Sequence, residues 1–569
     1  MWEYGLMPKS DTESRTDIDW ILRDRKVIDG LDHLGIELVS VNLYQAMLPG
    51  ITNVTERARY YSFYPWIIHR YAQEGPTTRT KLDWRNWFRS IEFTYAVACM
   101  AYEKDLGQDL ASSVVGADLA GRVIEGEPPS AKIDLHGPSA VEKSGSVPAS
   151  GAYFKNPEGG FGQYYKVPLR ELGVLREHEA PAWPDVQLSN YAGKRIAETL
   201  DDKKPFHELM ELAIEGRARL SDLSHLGKTI HPDAISPDSE EAGLLRELIF
   251  GDDPDLCRGQ RSEHLLSRRI SLLLMLQFLR EAGTIEGSLA DEFRRASLSK
   301  CLPDGRPWKI PALLSDIALG WGAYQCNDTL NYCLECLFYS ALQEIDRMAR
   351  RPTELVSFLA DQAMAAVPAS DGQPRLTALP RKVADWVAVN QKECDRLGLP
   401  NTLALADRLE SAVGQDDLHL VAPLAVRLLG RLTANSGDER THPFAPIPNA
   451  VEMSSVHEVH LRRWWQRVEE RSEEATSDFL KELLLEWVVY RHLRVATRKL
   501  AGQGVSTFKY RPEEGHLILI AEHLPTPTYT APRLRQGFRI MEDLHCIRRI
   551  DDCAELSEIG KSILEAHSV

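Results

Sequence analysis

The chain has 569 residues, too many for one hydrophobic core, so about three or four domains are expected. Its 43% hydrophobic and 26% charged content excludes wholesale disorder. The net charge of −16 argues against a general nucleic-acid coat, which needs a surplus of cations to displace phosphate counterions.

No run approaches the eighteen or so consecutive apolar residues of a membrane span, and Met1 to Arg25 has no signal-peptide core, so a cytoplasmic location is expected. The nine cysteines are too thinly spread for a disulfide framework. Cys333 and Cys336, with Cys326 before them, lack a second close pair or histidines at ligand spacing and read as buried thiols.

In chain order, a helical block runs to about residue 110. Asn53 and Glu56 suggest a capping box opening a helix through Arg57, Arg59, Tyr60, Tyr61, Phe63, Tyr64 and Trp66, bent at Pro65. Those aromatics read as core rather than as a stacking platform for bases. A second helix is expected from Asp83 to Glu103. Gly121 to Gly151 is dense in Gly, Pro and Ser and reads as a surface loop or linker. Helices return from Pro205 to about Gly430, clearest over Ser262 to Arg280, with the stretch from Ile310 to Arg350 interrupted at Gly320–Gly322. Thr433 to Pro448 reads as a second linker. Two long helices, Ser455 to Glu474 and Ser477 to Leu500, and two strands, Thr507–Tyr510 and His516–Ile520, follow.

From Thr530 onward the pattern is helix, strand, turn, strand, helix. Thr530 is placed to cap the first helix, with Pro532 near its first position. Ile547–Ile550 and Ala554–Leu556 read as strands about Asp551-Asp552, and Ser557 caps the last helix. Leu169-x-x-Leu172-Gly173-Val174-Leu175-Arg176, then Leu188-Ser189 and Gly193-Lys194-x-Ile196, echo Met541-x-x-Leu544-His545-Cys546-Ile547-Arg548, Leu556-Ser557 and Gly560-Lys561-x-Ile563. Both stretches resemble the winged-helix pattern of many bacterial regulators, and that resemblance implies that the helix before the wing is offered to a groove.

Cations gather near this module. Arg491, Arg494, Arg498, Lys499, Lys509 and Arg511 lie in a stretch, Trp487 to Arg511, without an acidic residue. Arg491, Arg494 and Arg498 share a helical face, and Arg533, Arg535 and Arg539 lie on the recognition-helix candidate. These nine residues form the candidate nucleic-acid interface.

Other signals are decoys. Gly560-Lys561-Ser562 and Gly227-Lys228-Thr229 lack the upstream glycine of a phosphate loop, and Gly159-Gly160-Phe161-Gly162 does not join a strand to a helix. His457 and His460 share a helical face and, with Asp478, Glu482 and His492, make the metal alternative, which lacks a full ligand set.

The expected fold is a mainly α, multidomain helical protein with two winged-helix-like α+β modules. Its expected divisions are a helical domain at 1–120, a linker with the first module at 121–204, a central helical domain at 205–433, a linker at 434–450, a helical pair at 451–503 and the second module at 504–569. Over Asn53–Trp66 and Asp478–Lys499 the chain resembles large uncharacterised helical proteins of bacterial antiviral-defence systems, which implies work among other protein subunits. The expected function is a non-enzymatic, DNA-associated adaptor or scaffold subunit with no cofactor. A kleisin-like partner of an SMC-type ATPase and a metal-dependent nuclease subunit are the alternatives.

Overall fold

The computed structural model describes residues 32–75, 80–107, 113–139, 154–178, 183–251, 253–369, 374–397, 400–434, 459–504 and 506–569. His457, residues 435–450 of the second linker and the first 25 residues lie outside them. The protein is mainly α, with four small sheets among the described residues.

The elements that position the site are α1 (Glu37–Met47), α2 (Tyr60–Glu74), α3 (Lys81–Asp105), α4 (Ala117–Ile124), β1 (Lys132–Asp134), α5 (Lys166–Glu171), β2 (Leu175–Glu177), β3 (Val186–Leu188), α6 (Ala192–Asp201), β4 (Arg217–Arg219) and α7 (Leu220–Ile230). Then come α8 (Ser262–Ala282), β5 (Ile285–Glu286), α9 (Leu289–Ser299), α10 (Ser315–Arg347), α11 (Leu461–Glu470), α12 (Tyr490–Gln503), β6 (Tyr510–Glu513), β7 (His516–Leu519), α13 (Leu534–Asp543), β8 (Ile547–Ile550), β9 (Cys553–Leu556) and α14 (Glu558–Ala566).

Several local expectations are corrected. The helix expected from Asn53 begins at Tyr60, because Thr52 and Thr55 close a turn first, the Thr52 amide donating to Thr55 Oγ1 at 2.8 Å. Glu56 therefore caps nothing; its carboxylate accepts from the Ser113 hydroxyl and from Gln536 Nε2. Within the expected 121–151 loop, β1 pairs antiparallel with β4, Ile133 opposite Ala218. Gly320 and Gly322 do not interrupt α10, which runs 33 residues. Both glycines are buried, and a helix covered on this many sides is held by packing, which overrides propensity. Thr530 does not cap α13. Its amide and hydroxyl donate to the buried Asp328 carboxylate at 3.3 and 2.7 Å, and the helix starts at Leu534 after Arg533 adopts a left-handed φ of 62°.

The echo between the two stretches extends to backbone detail. The Val174 amide donates to Leu169 O at 2.9 Å, and the Cys546 amide to Met541 O at 2.8 Å. The hydroxyls of Ser189 and Ser557 accept from the amides of Gly193 and Gly560 at 2.9 and 3.0 Å. A Cβ on Gly193 would stand 2.4 Å from Val174 O, and one on Gly560 2.3 Å from Cys546 O, so each helix can lie on its hairpin only with glycine there. The same reason holds Gly227, whose Cβ would meet Ala98 O at 2.1 Å where α7 crosses α3. Both glycine–lysine pairs are thus helix-packing positions.

The second hairpin is not a closed unit. β5 adds to it antiparallel, Ile285 opposite Ala554, giving the strand order β5-β9-β8. Strand pairing therefore crosses two of the expected divisions, 204/205 through β1–β4 and 433/504 through β5–β9.

Candidate nucleic-acid interface

The nine predicted cations divide by the direction in which each guanidinium or ammonium points. Arg491 is buried and donates to Leu34 O and Gly35 O at 2.6 and 2.9 Å. Lys499 donates to Asp32 O at 2.8 Å, and Lys509 is buried. Arg533 donates to Leu48 O at 3.2 Å, with its guanidinium over the Tyr44 ring. Arg491, Lys499 and Arg533 hold the two ends of α1, whose 11 residues span roughly 16 Å.

The other five reach the surface. Arg494 is half-exposed beside Glu486, Arg498 is exposed, and Arg511 pairs with Glu513. Arg539 pairs with Asp233 at 3.2 Å and Glu542 at 3.1 Å. Arg535 is 75% exposed and reaches Glu56 only at 3.8 Å. The expected common face of Arg491, Arg494 and Arg498 is split, because α12 turns Arg491 inward against the segment before α1.

Only Arg535 is open on α13; Arg539 and Glu542 are half-buried and the rest of the helix is buried. Its Asp543 carboxylate accepts from Arg57 Nε and Nη2 at 3.0 and 3.1 Å and from the Ala58 amide at 2.8 Å. Gln536 Nε2 donates to Asn53 O at 3.0 Å. Residues 53–58 thus cover one flank, and α9 packs the other, where Phe293 meets Phe538 edge-on. Beyond Arg57, Asp233 links to His231, whose Nε2 lies 2.8 Å from Glu103. Burial opposes charge on His231, but the two carboxylates raise its pKa. Burial likewise opposes charge on Asp233, and His231, Arg57 and Arg539 together hold its carboxyl well below the usual range.

A cleft opens along the free edge of α13. One lobe, of about 440 Å³, is lined by α9's first turn, Arg535, Arg539, Glu542 and Arg549. A second, of about 760 Å³, is lined by Val54, residues 113–119, Arg122, Phe154 and Tyr164. Glu56, Ser113 and Arg535 belong to both.

No family model, curated protein or solved structure matches this chain. Its chemistry is therefore read from its own side chains.

Four of the five candidate ligands of the metal alternative, His460, Asp478, Glu482 and His492, hold structural roles, and His457 lies outside the described residues. His460 Nδ1 accepts from the Arg463 amide at 3.3 Å as the N-cap of α11. Glu482 pairs with Arg467 and Arg471, and Asp478 with Lys481. His492 is buried with both nitrogens bonded to backbone: Nε2 accepts from the Lys509 amide at 2.9 Å, so Nδ1 carries the proton and donates to His33 O at 3.1 Å. No cluster of three or more His, Cys, Asp or Glu able to hold a metal exists among the described residues. Cys326, Cys333 and Cys336 are buried, and burial raises the Cys333 and Cys336 thiols.

His492 makes a pH prediction. Burial holds its pKa down at about 3, so the fold binds the neutral ring while the unfolded chain takes a proton near pH 6.5. Stability from this group is full above about 6.5 and declines between there and about 3, by about 1.4 kcal/mol per pH unit crossed. Unfolding measured from pH 7 to pH 4 is expected to show a shallower acid slope in His492→Gln than in the parent; equal slopes would assign the acid loss to carboxylates.

The sequence marked Glu56 only as a helix cap and Arg57 only as part of an aromatic helix, and marked neither Asp233 nor Ser113. Each gains its role from a partner remote in sequence, such as Asp543 for Arg57. No local pattern announces such pairs.

Proposed function

We propose that the protein is a non-enzymatic, DNA-associated adaptor or scaffold subunit of a multi-protein system of the bacterial antiviral-defence type, docking through its C-terminal module. What supports the reading is one topological observation. Helix α8, strand β5 and helix α9 combine with α13, β8, β9 and α14, and the first strand pairs with the third. This order supports the winged-helix reading, in which residues 300–533 are an insertion between the second and third helices.

The burial of α13 changes how such a module meets a duplex. A helix with one open residue does not enter a major groove, so contact falls to the hairpin arginines Arg548 and Arg549 and to Arg535. These reach phosphates rather than base edges, which makes binding salt-dependent and weakly sequence-selective. Such contacts suit an adaptor, whose specificity comes from the subunits it carries.

Anisotropy titration of a labelled duplex across a salt series tests this. Combined Arg535→Ala, Arg548→Ala and Arg549→Ala is expected to weaken binding to unrelated sequences alike and to lower the salt slope by about 3. Binding with an unchanged slope would reject the assigned surface, and no binding at low salt would reject DNA as a partner.

A further inference from the structure

We infer that the two-lobed cleft beside α13 binds a nucleotide, its base in the larger lobe and its phosphate in the smaller. This does not rest on the docking proposal, since the cleft exists whatever the module's partner.

The smaller lobe is built for an anion. Arg539 and Arg549 converge on Glu542 at 3.1 and 2.8 Å, and Arg539 also pairs with Asp233 at 3.2 Å. Arg535, mostly exposed and held only at 3.8 Å from Glu56, is able to swing onto a ligand. Ser288, Leu289 and Ala290 bring the N-terminus of the 11-residue α9 to the same wall. Ser288 Oγ takes the Asp291 amide there at 3.3 Å, and Asp291 and Glu292 in the first turn offset the partial positive charge, so the anion site rests on the arginines. A phosphate presents several oxygens to such a set, and forked guanidiniums match them in pairs.

The larger lobe is built for a flat ring. Phe154 and Tyr164 meet edge-on with centroids 5.6 Å apart, and Val115 and Leu119 extend the apolar wall. Val54 lies 45% exposed at this lobe, an apolar side chain that a seated base would cover. Base–aromatic contact is tolerant of base identity, because each base has a π face. Between the lobes, Glu56 and Ser113 form a hydrogen-bonded pair where a sugar would lie, and the carboxylate can accept from a ribose hydroxyl. Each lobe falls in the size range of small-molecule sites.

The same chemistry is carried by a free nucleotide and by the end of a nucleic-acid strand, so the probes separate them. Full-length protein is titrated with ATP, GTP, CTP, UTP and a 5′-phosphorylated oligodeoxythymidine. Saturable binding of at least one probe is expected, weakened about tenfold or more by Arg535→Glu and by Val54→Glu. Both substitutions fall on exposed side chains and leave the melting temperature unchanged, while Arg347→Glu, at the exposed end of α10, leaves affinity unchanged. Binding of the mononucleotides assigns a free ligand; binding of the oligonucleotide alone assigns a strand end. Absence of binding by all five probes at about 1 mM, or binding that survives either substitution in the cleft, overturns the proposal.

Discussion

Arg57→Ala is expected to destabilise the protein by about 3–5 kcal/mol, measured by chemical denaturation. Arg57 and Asp543 are 0% and 2% exposed, and two parallel N–H···O contacts of 3.0 and 3.1 Å join them. Coulombic attraction alone does not set the size of this loss. Removing one member leaves the other as a charge in the interior, with no water to solvate it. Burial already pushes the Asp543 carboxyl pKa up, and Arg57 pulls it back. Without Arg57 the carboxyl rises further, so the deficit of the variant should narrow as the pH falls and the carboxyl takes a proton. The double change Arg57→Met with Asp543→Leu should recover most of the loss, because it removes both desolvated charges and keeps the volume. A loss below about 1 kcal/mol for Arg57→Ala would show that this pair does not join α13 to the N-terminal half.

Arg268→Leu should be comparably severe, about 3 kcal/mol or more by the same measurement. Arg268 is 1% exposed and donates to Ile249 O at 3.0 Å, Pro49 O at 3.2 Å and Leu248 O at 3.3 Å, and also to Gln260. Leu248 and Ile249 close the helix Glu240–Phe250, whose last carbonyls have no partner within the helix. A cation there satisfies those acceptors and the negative end of the helix dipole together. Burial lowers its pKa to about 10, which still leaves it charged at neutral pH. Leucine fills the space but abandons the buried carbonyls of Pro49 and Ile249, while Leu248 O keeps Gln260 Nε2 at 3.4 Å. Arg268→Lys should restore little, since one ammonium does not span acceptors that a planar fork reaches at once. Full stability in Arg268→Lys would show that charge alone, and not the fork, holds this junction.

Arg57 and Arg268 explain why the candidate interface was only partly legible. Arginine reads as a surface residue, yet here Arg57, Arg89, Arg268, Arg427 and Arg491 are buried. Arg89 donates to Asn156 O and Phe154 O, and Arg427 to Ala365 O and Thr377 O, each tying irregular chain to a helix. A long apolar stem and a five-donor head make arginine suited to this task. The spacing of Arg491, Arg494 and Arg498 is the same whether the face meets solvent or the segment 33–35.

The sequence by itself determined the helical class, the helix–hairpin–helix order of the last module and its echo at 169–196. These follow from hydrophobic period, a capping serine and a glycine at each close crossing, which act over a few residues. Tertiary structure alone decided that Ile285–Glu286 completes the second sheet, that α13 is covered and that four of the nine predicted cations are turned to the interior. The two-residue β5 has no period to read, and burial depends on which distant segment arrives. Backbone carbonyls left open in one segment are satisfied by an arginine from another, and that choice is made when the chain packs.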